Sequence, residues 1–398
     1  MKSKDYIALE EQYGAHNYHP LDVVVHSAEG AWVTDVEGKK YLDCLAAYSA
    51  VNQGHCHPRI YEAFVEQAKN VTLTSRAFRN DRLPLLYKKL HDMTGYEMSL
   101  PMNSGAEAVE TAIKTARRWA YDVKGIAENM AEIIVATGNF HGRTTTIVGF
   151  SDDPSSFKGF GPYCTEAFPM HEYGDIEDLK AKVTENTCAV MIEPIQGEGG
   201  IVIPPDGYLK AVAELCRENN ILFICDEIQA GLGRSGKLFA HYYEDVRPDI
   251  VIIGKALSGG FYPVSAILAD KHILGVIKPG EHGSTFGGNP LAAAVAVRAL
   301  EVIEDEKLID RSFELGAYFA ERLRAIPSEH IVKVRARGLW IGLVLDTKAR
   351  PFCEALKEEG ILCKETHEHI IRFAPPLVIT KEEIDWALER IEKVLTSK

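Results

Sequence analysis

Short, continuous apolar runs alternate with segments of helical periodicity along the middle of this 398-residue chain. Runs that are apolar throughout, rather than at every second residue, predict strands that are buried on both faces of a sheet. Because helical segments separate these strands, right-handed crossovers and a mostly parallel sheet are expected. The pattern therefore predicts an α/β chain with a doubly wound domain. The apolar runs that carry this prediction are residues 132–136, 188–192, 221–225 and 250–253.

The two ends of the chain have a different pattern. The first 45 residues predict short strands, with a hairpin turn at Gly38. The C-terminal part begins with two long helical segments and ends in an amphipathic helix from Lys381. We therefore predict a large domain over residues 46–290 and a smaller α+β domain formed by residues 1–45 together with 291–398.

Charge and composition argue against several functional classes. The net charge of −13, from 44 basic and 57 acidic residues, argues against a nucleic-acid-binding protein, which normally has a basic face. No apolar run approaches the roughly 18 residues of a membrane span, and the first residues lack the apolar core of a targeting signal. Eight cysteines without a C-x-x-C pair, some of them inside apolar runs, are typical of reduced thiols. The predicted location is the cytoplasm, with no nucleic-acid or membrane partner.

Two motifs resemble ligand sites but lack the context that such sites need. Residues 231–236 match G-x-G-x-x-G, yet this motif indicates dinucleotide binding only when it directly follows a strand and opens a helix. Here residues 226–230 intervene, so we predict a flexible glycine loop. His55 and His57 flank Cys56, but without a second pair of ligands this segment predicts a polar turn before a helix, and we predict no metal site.

Two charged side chains stand at the ends of buried strands, at the sheet edge where open α/β folds bind ligands. Asp226 follows residues 221–225, and a carboxylate in that setting is costly unless it is paired. A salt bridge, a metal and a protonated ring nitrogen are all suitable partners. Lys255 follows residues 250–253, and a desolvated lysine amine becomes a nucleophile for carbonyl groups.

Two loops with small residues precede helices and suit a phosphate group. Ser104 and Gly105 follow a short strand and open a long helix, whose N-terminus favours anions. Residues 283–290 place the hydroxyls of Ser284 and Thr285 before another helix. An aldehyde bound to the lysine, a ring nitrogen facing the aspartate and a phosphate held by these loops together describe pyridoxal phosphate.

These residues resemble the class III aminotransferases of the fold-type I pyridoxal-phosphate superfamily. The resemblance rests first on Asp226-Glu227-Ile228-Gln229 followed by residues 254–260. One departure is His141, where animal members carry Trp, and we expect it to affect only local packing. Further segments along nearly the whole chain are similar to the ornithine-specific members of the family, namely residues 13–20, 48–58, 73–78, 193–198, 278–285 and 371–377.

The resemblance implies both a fold and an activity. The implied fold has a large domain with a mostly parallel seven-stranded sheet and a smaller α+β domain from both termini. The implied reaction moves the δ-amino group of L-ornithine to 2-oxoglutarate, giving L-glutamate 5-semialdehyde and L-glutamate, in proline biosynthesis or arginine breakdown. A homodimer with shared active sites is implied as well. The alternative is another class III enzyme, acting on N-acetylornithine or 4-aminobutyrate.

The resemblance also implies roles at the cofactor. Lys255 is expected to hold the aldehyde as a Schiff base and, once free, to move a proton at the substrate carbon. Asp226 is expected to keep the ring nitrogen protonated. The other implied cofactor contacts are Gly105 and Ala106 at the phosphate, Phe140 on the ring face, Gln229 at the ring 3-oxygen, Ser284, and Thr285 at the phosphate of the neighbouring subunit.

Substrate recognition must distinguish the two amines of ornithine. The family pattern implies that Arg143 binds the α-carboxylate through a bidentate fork, that Tyr18 holds the α-amino group and that Tyr48 lines the passage. Because 2-oxoglutarate must bring its α-carboxylate close to the cofactor, Arg372 is the implied second cation. An unpaired arginine there is costly while ornithine is bound, so Glu198 is expected to pair with Arg372 and release it later.

Overall fold

The computed structural model describes residues 1–397. Its strands, in chain order, are β1 (Val25–Glu29), β2 (Trp32–Asp35), β3 (Lys40–Asp43), β4 (Met98–Met102), β5 (Glu132–Ala136), β6 (Met170–His171), β7 (Thr187–Ile192), β8 (Leu222–Asp226), β9 (Ile250–Ile253), β10 (Ser265–Ala269), β11 (Ile331–Arg337), β12 (Trp340–Leu345), β13 (Ile361–Leu362), β14 (Lys364–Thr366) and β15 (Ile370–Phe373).

The helical segments alternate with the strands through the middle of the chain and dominate the C-terminal part. They are α1 (Ser3–Tyr13), α2 (Ala46–Ser49), α3 (Pro58–Asn70), α4 (Leu83–Thr94), α5 (Gly105–Trp119), α6 (Thr145–Val148), α7 (Pro154–Phe157), α8 (Ile176–Lys182), α9 (Tyr208–Glu218), α10 (Lys271–Leu274), α11 (Pro290–Asp305), α12 (Leu308–Arg324), α13 (Arg350–Glu358) and α14 (Lys381–Thr396). Among the described residues, no helix combines the length and the apolar character that crossing a bilayer requires.

The large sheet has seven strands in the order β4-β10-β9-β8-β7-β5-β6. The five strands from β9 to β6 pair in parallel, and every residue of β7, β8 and β9 is buried. This burial on both faces explains why these strands are apolar throughout. The prediction of an α/β fold with a mostly parallel seven-stranded sheet is confirmed. The exception is β10, which runs antiparallel to both of its neighbours, β4 and β9.

Two smaller four-stranded sheets complete the architecture. One has the order β1-β2-β3-β13, in which β13 pairs in parallel with β3, so that segments from the two ends of the chain share a sheet. The other has the order β11-β12-β15-β14 and is antiparallel throughout. The domain limits at residues 45/46 and 290/291 stay predictions, which the pairing of β3 with β13 supports.

Two expectations about local structure are wrong. The first 45 residues were predicted to form short strands, but they contain a helix, α1. No residue of α1 is buried, so the segment lacks the apolar periodicity that would have predicted a helix. The loop 231–236 is buried rather than flexible. The guanidinium of Arg234, fully buried within this loop, donates hydrogen bonds to the carbonyl oxygens of Leu339 and Pro375 and to Asn52 Oδ1, at 2.8, 2.7 and 2.6 Å. The loop is therefore fixed against the C-terminal segment.

Candidate active site

A cavity of about 130 Å³ lies over the carboxyl ends of the parallel strands. This is the sheet edge at which open α/β folds bind ligands. The lining side chains come from the ends of β5, β7, β8 and β9 or from the loops that follow them, and the N-terminus of α5 closes one side. The lining residues are Gly105, Ala106, Phe140, His141, Gly142, Glu193, Ile195, Asp226, Ile228, Gln229 and Lys255.

The N-terminus of α5 presents free backbone donors to this cavity. Ser104 caps the helix, accepting a hydrogen bond from the Glu107 amide, while the Glu107 carboxylate accepts one from the Ser104 amide. This capping box leaves the amides of Gly105 and Ala106 without partners in the described structure. Two free amides at the positive end of a helix form a suitable binding site for a phosphate.

Asp226 ends β8 with its carboxylate held from two sides. Its Oδ1 accepts a hydrogen bond from the Ile228 amide at 3.1 Å, and its Oδ2 lies 2.7 Å from Nδ1 of His141. Both side chains are buried, with residue exposures of 4% and 3%. A carboxylate accepts about four hydrogen bonds, so Asp226 retains capacity for the N–H of a cofactor ring.

Lys255 faces Asp226 and its neighbours from the loop after β9. Burial lowers the pKa of its ammonium; the charges of Glu198 and Asp226 oppose this shift and that of Arg372 adds to it. Its backbone has a φ of +43°, a left-handed conformation that costs a non-glycine residue about 1–3 kcal/mol. The lowered pKa favours the neutral amine, which is the form of lysine that attacks a carbonyl group.

Glu193 follows β7 and holds the loop that carries Phe140. Its two oxygens accept hydrogen bonds from the amides of Phe140 and Gly197, at 3.0 and 3.2 Å. Burial raises the pKa of Glu193 to about 7; the charge of His141 opposes this shift and that of Asp226 adds to it. The cavity wall thus contains two buried carboxyl groups close to one imidazole.

Arg372 on β15 is buried beside the cavity, with an exposure of 2%. Its guanidinium donates hydrogen bonds to Glu198 Oε1 at 3.1 Å and to Gln229 Oε1 at 2.8 Å. It also lies over the rings of Tyr48 and Trp340, at 5.3 and 5.6 Å from their centroids. Arg372 is therefore neutralised by one carboxylate and reaches the cavity through Gln229, which lines it.

Tyr48 stands in the left-handed segment α2. All four residues of α2 are non-glycine and have φ between 47° and 74°, so this segment stores backbone strain close to Arg372. Strained backbone of this kind persists where the surrounding structure holds a side chain in a particular place.

Arg143 and Tyr18 lie together at the exposed side of the site. The guanidinium of Arg143 is 5.9 Å from the ring centroid of Tyr18 and 5.8 Å from that of Phe140. No carboxylate of the described residues pairs with Arg143. Tyr18 is 66% exposed, and its segment is anchored by Arg350, which donates hydrogen bonds to the carbonyl oxygens of His19 and Pro20.

Ser284 and Thr285 do not line the cavity. Ser284 Oγ accepts a hydrogen bond from Asn103 Nδ2 at 2.8 Å, just before the N-terminus of α5. Thr285 is exposed, beside the exposed ring of Phe286. The predicted site residues that line the cavity are Gly105, Ala106, Phe140, Asp226, Gln229 and Lys255. Tyr48, Glu198 and Arg372 lie beside it, and Tyr18, Arg143, Ser284 and Thr285 lie outside its lining.

His141 and Glu193 line the cavity but were not among the predicted site residues. The expectation that His141 affects only local packing is wrong, because its imidazole is hydrogen-bonded directly to Asp226. Glu193 directly follows an apolar strand, which is the same signal that identified Asp226. For His141 the sequence carries no comparable signal, since the contact joins residues that are 85 positions apart.

A second group of potential metal ligands is buried behind the sheet. Ligand atoms of Cys225, Glu227 and His241 lie within 4.8 Å of one another. Both oxygens of Glu227 already accept hydrogen bonds, from the amides of Ala240 and His241 and from His241 Nδ1 at 2.8 Å. The carboxylate of Glu227 is thus satisfied by protein donors, while Nε2 of His241 is buried without a partner among the described residues.

The lining residues fit pyridoxal phosphate. The free amides of α5 suit its phosphate, Asp226 suits its ring nitrogen, and the amine of Lys255 suits its aldehyde. Gly142 has a φ of +131°, and a Cβ there would come within 3.0 Å of the Ala106 Cβ. A side chain at this position would push the loop that carries His141 away from α5 and disturb the phosphate site at the N-terminus of that helix.

Comparisons with known proteins agree with this chemistry. A sequence model of the family described as aminotransferase class-III matches residues 13–395. An ornithine aminotransferase from an Exiguobacterium species is 61% identical over 394 residues, covering 99% of this chain and 98% of the relative. The solved structure of the ornithine aminotransferase from Toxoplasma gondii, which holds pyridoxal phosphate at partial occupancy, superposes with a TM-score of 0.97 at 45% identity, covering 99% and 94% of the two chains. That of an acetylornithine aminotransferase from Elizabethkingia anophelis gives a TM-score of 0.90 at 50% identity, covering 99% of each chain.

Proposed function

The chain belongs to the class-III aminotransferases, and on that premise we propose that it transfers the δ-amino group of L-ornithine to 2-oxoglutarate. It is a pyridoxal-phosphate-dependent enzyme, as its family is. The observation that carries the substrate proposal is the unequal pairing of two arginines. Arg372, beside the cofactor site, is neutralised by Glu198 at 3.1 Å, whereas Arg143, at the exposed side, has no carboxylate partner among the described residues. A substrate with an amine at one end and a carboxylate at the other matches this arrangement.

When bound, pyridoxal phosphate supplies an aldehyde that takes up the amino group and a ring that withdraws electrons from the substrate carbon. In this proposal the amides of Gly105 and Ala106 hold the phosphate, and the ring of Phe140 covers one face of the cofactor. Gln229 donates to the ring 3-oxygen through its amide nitrogen, while its amide oxygen remains bound to Arg372. Asp226 keeps the proton on the ring nitrogen.

Lys255 has two tasks in this proposal. Its neutral amine attaches the cofactor in the resting enzyme, and burial favours the neutral form by lowering its pKa. After the substrate amine replaces it, the released amine of Lys255 would move a proton from the substrate δ-carbon to the former aldehyde carbon of the cofactor, which lies on the other side of the shared nitrogen. Lys255 is the only amine among the lining residues.

Ornithine recognition follows from the exposed side of the site. Arg143 binds the α-carboxylate, and the hydroxyl of Tyr18 accepts a hydrogen bond from the α-ammonium group. With the α end held there, the δ-amine is the one that reaches Lys255. The Glu198–Arg372 pair stays closed during this half-reaction, so that no free cation stands beside the reacting carbon.

2-Oxoglutarate requires the opposite charge arrangement. Its keto carbon must reach the same position, which brings the adjacent α-carboxylate to Arg372. The Glu198 carboxylate then moves away from the Arg372 guanidinium, and its side-chain exposure of 31% leaves room for this movement. The guanidinium stays held by Gln229 and over the ring of Tyr48, so it does not need to move itself.

Three further assignments, on assembly, location and pathway, extend this proposal. We propose a homodimer in which Thr285 reaches the phosphate bound by the partner subunit, which the exposure of Thr285 and Phe286 supports. We propose a cytoplasmic location, which six free and buried cysteines support. The product, L-glutamate 5-semialdehyde, cyclises to pyrroline-5-carboxylate, so we place the enzyme in proline biosynthesis or arginine breakdown.

A panel of amine donors tests the substrate proposal. In stopped-flow measurements of the cofactor absorbance, ornithine is expected to react at least about 10²-fold faster than N-acetylornithine or 4-aminobutyrate, because both lack the charged α-amino group. Tyr18→Phe is expected to narrow this ratio, whereas Tyr13→Phe, a similarly exposed tyrosine in α1, leaves it unchanged. Faster reaction of N-acetylornithine would assign the chain to the acetylornithine enzymes instead.

The Glu198–Arg372 pair gives a second prediction, in which the two half-reactions change in opposite directions. Glu198→Ala leaves Arg372 free for an α-carboxylate, so the glutamate half-reaction gains relative to the ornithine half-reaction. Arg372→Ala does the reverse and keeps more of the ornithine half-reaction. Specificity is a difference between two affinities, so the ratio of the half-reaction rates is the quantity to measure.

The matched control is Asp270→Ala. It removes an arginine–carboxylate pair with Arg247, at 2.7 Å, on the opposite edge of the large sheet. This variant is expected to leave the ratio of half-reaction rates unchanged. If Glu198→Ala and Arg372→Ala lower both half-reactions in equal proportion, the pair only supports the fold and the switch is wrong.

A further inference from the structure

We propose that His141 is a positioning residue that fixes the Asp226 carboxylate against the ring nitrogen of the bound cofactor and keeps it ionised. This inference rests on the proposed function of Asp226 and adds a residue to which no role at the cofactor has been given above. It assigns His141 no contact with the substrate. Its effect on the reaction passes entirely through Asp226.

The geometry of the pair supports this role. His141 Nδ1 lies 2.7 Å from Oδ2 of Asp226, and the Ile228 amide binds the other oxygen, Oδ1. Two donors on different oxygens prevent the carboxylate from rotating, which leaves the remaining lone pairs pointing in a defined direction. Because a carboxylate only accepts, Nδ1 of His141 must carry the proton. His141 also lines the cavity itself, so the pair is part of the cavity wall.

The charges around His141 support the second part of the proposal. The groups that face it are the carboxyl groups of Asp226 and Glu193, and its other neighbour is the apolar ring of Phe150, at 6.1 Å between centroids. Burial lowers the pKa of His141, but the hydrogen bond and charge of Asp226 outweigh this, and the net pKa is raised. A protonated imidazole offsets the cost of a buried carboxylate. The other ring nitrogen, Nε2, is buried without a partner in the described structure, so the imidazole is held through Asp226 alone.

The test compares two substitutions of His141 that differ in one property. His141→Phe keeps a flat ring but loses the donor, and His141→Asn is smaller but keeps an N–H near the position of Nδ1. With His141→Phe, the dissociation constant of pyridoxal phosphate from the apoenzyme, measured by fluorescence quenching, is expected to rise about 10-fold or more. The ¹⁵N chemical shift of ring-labelled cofactor moves towards the unprotonated value. With His141→Asn, the dissociation constant of pyridoxal phosphate is expected to stay within about threefold of the wild-type value. The ¹⁵N chemical shift of the ring is expected to stay close to that of the wild type.

A buried histidine–carboxylate pair behind the same strand provides the matched control. His241→Phe breaks the pair with Glu227, in which both side chains are fully buried, without reaching the cavity. This variant is expected to lose thermal stability and to keep the ¹⁵N shift and the cofactor affinity of the wild type. An equal change in His241→Phe and His141→Phe would overturn the proposal, as would an equal loss in His141→Asn and His141→Phe.

One more variant separates this inference from the proposed function of the site. If Asp226→Asn moves the ¹⁵N shift and His141→Phe does not, then Asp226 serves the ring nitrogen but His141 does not position it. If Asp226→Asn leaves the shift unchanged, the assignment of Asp226 fails, and the inference about His141 fails with it. In the expected result both variants move the shift, with Asp226→Asn producing the larger change.

Discussion

Lys255→Ala is expected to lower turnover by about 10⁴-fold or more, since a general acid–base group alone contributes about 10²–10⁴-fold and the covalent attachment of the cofactor is lost as well. No other amine lines the cavity, so no neighbour replaces it. Pyridoxal phosphate still binds through the amides at the N-terminus of α5 and through Asp226. Steady-state turnover, together with cofactor retention after gel filtration, measures the two effects separately.

Lys124→Ala is the matched control for this variant. Burial lowers the pKa of Lys124 as it does that of Lys255, but the Lys124 ammonium binds the carbonyl oxygen of Thr187, at the amino end of β7 and away from the cavity. Its loss is expected to change turnover by less than about threefold, as for a residue outside the site. Added methylamine is expected to restore part of the activity of Lys255→Ala only. Turnover of Lys255→Ala within tenfold of the wild type would show that another group moves the proton.

Asp226→Asn is expected to lower both half-reactions by about 10²-fold or more. Removing one partner of a buried charged pair costs about 3 kcal/mol, and about 1.4 kcal/mol corresponds to a factor of ten. The amide keeps the shape of the carboxylate and can still accept from the Ile228 amide, so the fold is preserved. Its lost charge no longer holds the proton on the ring nitrogen. Stopped-flow rates for ornithine and for 2-oxoglutarate should fall together, because Asp226 serves both half-reactions.

Asp249→Asn provides the comparison, because Asp249, just before β9, binds the backbone near the beginning of β8, the strand that Asp226 ends. Asp249 is a mostly buried carboxylate whose Oδ2 accepts a hydrogen bond from the Phe223 amide at 2.8 Å. Burial raises the pKa of Asp249. Asp249 is therefore a partly desolvated carboxylate like Asp226, but it does not line the cavity. This variant should affect stability and leave the half-reactions unchanged. Full activity in Asp226→Asn would show that this carboxylate is structural.

The sequence by itself determined the α/β fold and the two strand-end residues at the centre of the site. Apolar runs report burial on both faces, and the residue that follows such a run lies at the ligand-binding edge of a parallel sheet. Both signals are local, because they depend only on neighbouring residues along the chain. Asp226 and Lys255 were found in this way, and Glu193 carries the same signal. The substrate residues came from motif resemblance rather than from periodicity.

Only the tertiary structure decided which distant side chains meet. The contact of His141 with Asp226 spans 85 positions and had no signal in the sequence. The contact of Glu198 with Arg372 spans 174 positions and was expected only from the family resemblance. Such pairs depend on the order of strands in the sheet and on the path of each crossover, which no short segment encodes. The burial of loop 231–236 has the same origin, since its partners lie on the C-terminal segment. The polar helix α1 has no buried face, so its sequence lacks the apolar periodicity that predicts a helix.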